Sequence, residues 1–151
     1  MRRQSGILHG ELLRVIAEMR HGDELVIADA GLPVPPGVAY IDIAIVPNLP
    51  RFLDVLKVVL AELVVEKAVI ASETFENTIL ATAIQSQLSM TPQIITHKTF
   101  KQRTMSARAI IRTGEFTPFA NIILVGGVNF STRFEEEGYD ERHPDSSGHG
   151  T

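Results

Sequence analysis

Apolar side chains recur along this chain with two different periods, which separate helices from strands. Spacings of three and four residues, typical of amphipathic helices, predict helices over about residues 8–20, 52–63 and 74–88. A fourth helix over residues 99–107 is poorly amphipathic and is predicted from its N-cap. The prolines of segment 47–50 end one element and open the second helix. Thr99 is the predicted N-cap of the fourth helix.

Short apolar runs between these helices predict strands. They cover residues 25–29, 40–46, 67–71, 93–96, 109–112 and 121–125. The run over residues 25–28 has no polar interruption, as in a strand that is covered on both faces. Strands that alternate with helices predict an α/β fold, a single-domain three-layer α/β/α sandwich.

Acidic and basic residues are unevenly distributed along the chain. The 151 residues carry a net charge of −4, and segment 131–151 holds six of the 18 acidic residues but only two of the 14 basic ones. The body over residues 1–130 is therefore balanced, which argues against a nucleic-acid partner, and residues 131–151 form a predicted acidic C-terminal tail.

Two absences in the sequence narrow the class of protein. No apolar run reaches the roughly 18 residues of a membrane span, and the chain has no cysteine. We therefore expect a cytosolic protein without a membrane partner, a disulfide framework or a thiol nucleophile.

Polar residues around the first strand are the leading candidates for chemistry. His21 and Asp23 precede this strand, and Asp29 lies at its carboxyl end, where open α/β sheets bind ligands. Histidine beside carboxylates suits proton transfer. The alternative is structural, with Asp23 capping a turn and His21 ending a helix.

Other polar positions are less informative. His97 follows a short strand, and Asn121 begins the last one, where its amide could bind a polyol or only satisfy backbone groups. The pair Gly126–Gly127 lacks the pattern of a phosphate loop and favours a turn. No clustered metal-ligand pattern is present, so no metal is expected.

Three segments in order are similar to one known family. Residues 21–35 (HGDELVIADAGLPVP) and 111–124 (IRTGEFTPFANIIL) resemble signatures of the D-ribose pyranase and L-fucose mutarotase family, and residues 95–101 (ITHKTFK) resemble a third. The sequence DAGLP at residues 29–33 is similar to the ribose branch.

The resemblance implies an enzyme that interconverts pyranose and furanose forms, or anomers, of a free monosaccharide without a cofactor. It implies a cytoplasmic, ring-shaped homo-oligomer, commonly a decamer, with sites near subunit contacts. It assigns the proton-donating histidine to His21 and sugar binding to Asp29, His97, Phe119, Ala120 and Asn121.

One position departs from the resemblance, because the ribose branch usually has tyrosine where this chain has Phe119. The phenyl ring can still pack against a sugar, but a hydroxyl is lost, so the preferred sugar can differ from ribose. A non-catalytic sugar-binding accessory of uptake or regulation is the alternative function.

Overall fold

A computed structural model describes residues 6–128 of the chain. The helices are α1 (Gly10–Glu18), α2 (Phe52–Glu62), α3 (Thr78–Gln87) and α4 (His97–Thr104). The strands are β1 (Glu24–Ala28), β2 (Ala39–Asp42), β3 (Val65–Ala71), β4 (Gln93–Ile95), β5 (Ala109–Arg112) and β6 (Ile122–Gly126). A short 3-10 helix (Ser72–Glu76) joins β3 to α3. The predicted tail over residues 131–151 and its boundary lie outside the described residues.

The six strands form one mixed sheet in the order β2-β5-β1-β6-β3-β4. Strand β5 pairs in parallel with β1 and β2, and β3 pairs in parallel with β4. Strand β6 lies between β1 and β3 and is antiparallel to both. The carboxyl ends of the five parallel strands and the start of β6 therefore share one edge of the sheet.

Side chains of the sheet alternate between two apolar layers, as the strand period requires. Leu25 and Ile27 face the layer that contains α1, α2 and α3. Val26 and Ala28 face the layer that contains Phe100 of α4 and Leu32 of the proline-rich loop. The predicted three-layer α/β/α arrangement is confirmed. Among residues 6–128, no helix is long and apolar enough to cross a bilayer.

Two of the predicted element boundaries are wrong for local reasons. The second strand ends at Asp42 rather than near residue 46, because the Asp42 carboxylate accepts a hydrogen bond from the Ala44 N–H (3.0 Å) and turns the chain. Helix α4 begins at His97 because Thr96, not Thr99, is its N-cap: the Thr96 hydroxyl accepts from the Thr99 N–H at 3.2 Å.

Gly114 allows the loop that precedes α2 to pack directly on the end of β5. Its N–H donates to the Pro50 carbonyl at 2.9 Å, and its carbonyl accepts from the Asn48 N–H at 2.6 Å. A Cβ at this position would lie 2.5 Å from the Leu49 carbonyl oxygen. The close approach of two backbones therefore requires glycine.

We predict that Gly114→Ala lowers the free energy of unfolding by about 3 kcal/mol, because a fixed backbone carbonyl cannot move away from the new methyl group. Urea denaturation measures this change. Gly10→Ala is the matched control, since a Cβ there would meet nothing within 4 Å. Equal stability of the two variants would contradict the prediction.

Candidate active site

Polar side chains from four segments meet at the edge where the parallel strands end. Asp29 directly follows β1, Arg112 ends β5, His97 follows β4 and Asn121 precedes β6. The antiparallel course of β6 brings its first residues to the same edge as the carboxyl ends of its neighbours. This is the edge at which open α/β sheets bind ligands.

A cavity of about 440 Å³ opens at this edge. Its lining consists of Asp29, Ala30, Gly31, Leu32, Pro33, His97, Arg112, Glu115, Phe116, Pro118 and Phe119. The volume lies in the range of small-molecule sites, and the lining combines apolar rings with a few convergent polar groups. Such a lining suits a small polyol that has both an apolar face and hydroxyl groups.

Asp29 is fixed in the cavity wall by the side chain of Asn121. The Asn121 Nδ2 donates to Asp29 Oδ2 at 3.2 Å, and the Asn121 Oδ1 accepts from the Asp29 N–H at 2.8 Å. Gly31 donates its N–H to the other carboxylate oxygen at 2.9 Å. Asn121 is only 1% exposed and both ends of its amide bind Asp29, so its contact is with Asp29 and not with the cavity itself.

Burial raises the pKa of Asp29 above its ordinary value of 3.8, because desolvation disfavours the charged carboxylate. Hydrogen bonds from Gly31, Asn121, Leu32 and Phe119 lower the pKa but do not cancel this effect. The carboxyl group's contribution to stability is therefore complete below pH 3.8 and is lost as the pH rises through the higher folded-state pKa.

His97 is held between two aromatic rings at the start of α4. Its imidazole meets the Phe119 ring edge-to-face at a centroid distance of 4.9 Å and is nearly parallel to Phe100 at 6.4 Å. The His97 backbone N–H donates to the Glu73 carboxylate at 2.8 Å. The hydrogen bond from the Ser72 hydroxyl, with a smaller effect of the one from the His97 N–H, holds the pKa of Glu73 below its ordinary value of 4.5. Glu73 thus places a negative charge at the helix N-terminus.

Phe119 has an unusual backbone conformation that directs its ring into the cavity. Its φ is +62°, in the left-handed region, and its carbonyl accepts a 2.8 Å hydrogen bond from the buried Thr74 hydroxyl. Ala120 and Asn121 follow it and are buried behind the lining. Of the six residues that the resemblance assigns, Asp29, His97 and Phe119 therefore line one cavity.

His21 lies at the opposite edge of the sheet, because it precedes β1 whereas Asp29 follows it. The five residues of β1 separate them by roughly 16 Å of strand. The Nε2 of His21 lies 2.9 Å from Glu66 Oε2, and Asp23 accepts from the Arg20 N–H at 2.9 Å. The predicted cluster of His21, Asp23 and Asp29 is therefore wrong within a single chain.

Arg112 and Glu115 line the cavity but were not singled out from the sequence. Arg112 donates from Nε to the Ala30 carbonyl at 2.9 Å and from Nη1 to Asp42 at 3.1 Å. Glu115 is 9% exposed and accepts from the Phe52 N–H at 3.3 Å, at the start of α2. The available signal was their position at the carboxyl end of a predicted strand, since Arg112 ends the strand over residues 109–112 and Glu115 follows it.

Within the described range, no His, Asp and Glu side chains are grouped so that three of them could hold a metal ion. The fold and the cavity define a single-domain α/β protein with a cavity at the strand ends that is of a size for a small molecule. The chain belongs to the RbsD / FucU transport protein family, whose model matches residues 2–129. The family resemblance of the three sequence segments is confirmed.

Curated relatives cover almost the same length. The chain is 51% identical over 130 residues to the D-ribose pyranase of Laribacter hongkongensis, and 47% identical over 129 residues to that of Paracidovorax citrulli. Each match covers 85% of this chain and 99% of the relative.

Two solved structures of sugar complexes share the fold. RbsD of Bacillus subtilis complexed with D-ribose has a TM-score of 0.81 and 44% identity, over 85% of this chain and 100% of that one. The fucose mutarotase of Streptococcus pneumoniae in complex with L-fucose has a TM-score of 0.64 and 26% identity, over 81% of this chain and 94% of that one.

We predict that Asn121→Ala raises the pKa of Asp29 further, because the carboxylate loses the hydrogen bond from the Asn121 Nδ2. The same change should lower the free energy of unfolding by about 1–3 kcal/mol, because it leaves the Asp29 N–H without its partner. Carboxyl-carbon NMR titration and urea denaturation measure the two effects. Asn77→Ala, which removes the N-cap of α3, is the control and should leave the pKa of Asp29 unchanged. An unshifted Asp29 in Asn121→Ala would refute the positioning role.

Proposed function

We propose that this protein is a D-ribose pyranase-type isomerase, which interconverts the pyranose and furanose forms, or the anomers, of free D-ribose or a similar monosaccharide. The cavity with the fixed Asp29 carboxyl beside His97 and Phe119 is the observation that carries the proposal. Relatives with 47–51% identity over nearly their whole length support the same reaction. We place the enzyme in the cytoplasm.

The reaction needs only proton transfer and a positioned sugar. Opening a cyclic hemiacetal removes the proton of the anomeric hydroxyl, breaks the bond between the anomeric carbon and the ring oxygen, and protonates that oxygen. Closure through a different hydroxyl gives the other ring size. Since water performs this exchange slowly, positioned general acid–base groups are sufficient catalysts.

Three residues of the cavity, Asp29, His97 and Phe119, have proposed roles that follow from their surroundings. The Asp29 carboxylate oxygens accept hydrogen bonds from sugar hydroxyls, because Asn121 and Gly31 already fix their direction. His97 binds a further hydroxyl, and the Phe119 ring packs against an apolar face of the sugar. These groups together hold the anomeric centre in one orientation.

The proton donor in this proposal is His21, and it must come from a second copy of the chain. Within one chain, β1 separates His21 from the cavity by roughly 16 Å. His21 is well exposed, with 61% of its side chain accessible, and can therefore reach the cavity of a neighbour. A homo-oligomer, for which we propose a decameric ring, would complete every site in this way.

An exposed apolar surface beside the cavity is suited to such a contact. Ile45, Val46 and Leu49 are 74%, 54% and 52% exposed, and Phe116, which lines the cavity, is 62% exposed. The Asn48 side chain accepts from the Phe116 N–H at 3.0 Å and joins the two segments. Contiguous apolar surface of this kind favours association with another chain.

The functional unit that we propose is the body over residues 1–130, with residues 131–151 as an acidic appendage. The family model ends at residue 129, which supports this division. The acidic appendage has no assigned part in the reaction.

We predict that His21→Ala slows pyranose–furanose exchange of ribose by about 10²-fold or more, the range for a general acid–base group, without changing stability. Exchange NMR on free ribose measures the rate. A folded His21→Ala protein with the wild-type exchange rate would disprove this assignment.

Mixed oligomers test whether two copies share the site. We predict that His21→Ala and Asp29→Asn chains, each inactive alone, recover about a quarter of wild-type exchange when refolded together, because one site in four then pairs an intact cavity with an intact His21. Sedimentation equilibrium should give a mass well above 16.6 kDa. No recovery in oligomers that contain both chains would contradict the shared site.

We predict that Phe119→Tyr tightens ribose binding by up to about 1 kcal/mol, roughly fivefold, because the hydroxyl supplies a missing hydrogen bond. If the cavity is instead adapted to a deoxypentose, the unpaired hydroxyl should weaken binding of that sugar. Titration of the wild-type protein and of Phe119→Tyr with ribose and with a deoxypentose separates these cases. Unchanged affinity for both sugars would show that Phe119 does not contact the ligand.

A further inference from the structure

His21 and Glu66 form a close contact at the edge of the sheet opposite the cavity. The His21 Nε2 lies 2.9 Å from Glu66 Oε2, and the two side chains are 61% and 36% exposed. A pair this open contributes little to folding stability. A contribution to folding stability therefore does not explain the contact between His21 and Glu66. Its effect is to orient the imidazole ring of His21.

The backbone at Glu66 departs from regular pairing. Val65 pairs with Gly126 and Lys67 pairs with Val125, so Glu66 is an extra residue on β3 without a partner on β6. Such a β-bulge changes the direction of a side chain, and bulges are common next to active sites. The bulge thus directs the Glu66 carboxylate towards the turn that carries His21.

Gly126 holds that turn against the end of β6. Its carbonyl accepts from the Gly22 N–H at 2.9 Å, and its N–H donates to the Asp23 carbonyl at 2.8 Å. A Cβ on Gly126 would lie 2.9 Å from the Arg20 carbonyl oxygen. The backbone directly after His21 is therefore hydrogen-bonded to the strand that also pairs with the bulge, and the Arg20 carbonyl packs closely on that strand.

Gly127 provides the space that Glu66 occupies. A Cβ at this position would lie 3.2 Å from the Glu66 Cβ and 3.4 Å from its backbone nitrogen. The Gly127 N–H donates to the Val64 carbonyl at 2.9 Å, which keeps the two strands close. The pair Gly126–Gly127 thus has a structural use: one glycine supports the turn of His21, and the other makes room for Glu66.

We propose that Glu66 is a positioning residue for His21 and determines which imidazole nitrogen transfers the proton. A carboxylate only accepts hydrogen bonds, so the Nε2 that faces Glu66 carries a hydrogen. The neutral ring then has its lone pair on Nδ1, because the hydrogen bond from Nε2–H to Glu66 fixes this tautomer. The inference rests on the proposed role of His21 as the proton donor.

The direction of proton transfer follows from this arrangement. When the sugar ring opens, the Nδ1 proton of the imidazolium passes to the ring oxygen as the bond from that oxygen to the anomeric carbon breaks, the electron pair of the N–H bond remains on Nδ1, and a water molecule takes the proton of the anomeric hydroxyl. Closure reverses both transfers: the attacking hydroxyl gives its proton to Nδ1, and the protonated water returns a proton to the former carbonyl oxygen. Nε2 stays bonded to Glu66 throughout, so the ring does not need to rotate between steps.

Nitrogen NMR of the full-length protein, with its histidines labelled, tests the tautomer directly. At about pH 8.5, well above the ordinary imidazole pKa, the His21 signals should be those of the pure Nε2–H form. Loss of these signals in His21→Ala assigns them. In Glu66→Ala we expect averaged signals, because an unrestrained imidazole exchanges between its two tautomers.

Exchange kinetics with ribose provide the second measurement. Glu66→Ala should lower kcat by about tenfold, part of the 10²–10⁴-fold that a general acid–base group supplies, and change KM by less than about twofold. Gly127→Ala should act in the same direction, because its methyl group displaces Glu66. Glu66→Gln should retain more activity than Glu66→Ala, since its amide oxygen still accepts from Nε2.

Glu11→Gln is the matched control, because Glu11 is an exposed carboxylate on α1, and it should keep the wild-type kcat and tautomer. Averaged His21 signals in the wild type, or an unchanged kcat in Glu66→Ala, would overturn the role of Glu66 while His21 remained the donor. Wild-type exchange in His21→Ala would instead overturn the proposed role of His21, and the kinetic role of Glu66 with it.

Discussion

The antiparallel pairing of β6 with both β1 and β3 is the constraint on which the rest of this molecule depends. At one end of β6, Asn121 lies beside the carboxyl end of β1 and binds Asp29 through both ends of its amide. At the other end, Gly126 bonds to the turn that carries His21 and pairs with the start of β3, where Glu66 lies. A single buried strand therefore fixes the geometry at both edges of the sheet, where the residues of the proposed site lie.

The half-buried carboxyl group of Asp29 at the cavity is tolerated because its neighbours oppose the cost of desolvation. Burial alone favours the protonated form of Asp29, and four hydrogen bonds favour the charged one. Removing a single donor leaves a buried polar group without its partner, which costs more than a typical hydrogen bond contributes. The hydrogen bonds that make this part of the cavity wall rigid are thus the same ones that influence the pKa of the Asp29 carboxyl group. In the proposed function, an entering sugar meets acceptors whose directions are already fixed.

Sequence reasoning found the cavity residues unequally, for a physical reason. Asp29 ends one predicted strand and His97 directly follows another, and the ligand-binding edge of an α/β sheet is known from strand direction alone. Arg112 also ends a strand and Glu115 follows it, but their contacts are with distant segments that no local pattern indicates. His21 was placed with Asp29 because the two are close in sequence, although an extended strand carries them to opposite edges.

By itself, the sequence determined the class of fold, since the periods of its apolar residues depend only on local geometry. It also determined the family, through three segments that lie far apart along the chain. Only the tertiary structure decided that β6 runs antiparallel between β1 and β3, that Thr96 rather than Thr99 caps α4, and that Glu66 lies in a bulge facing His21. These features depend on which backbone segments approach each other across the sheet. The local spacing of apolar and polar residues does not indicate which distant segments will meet.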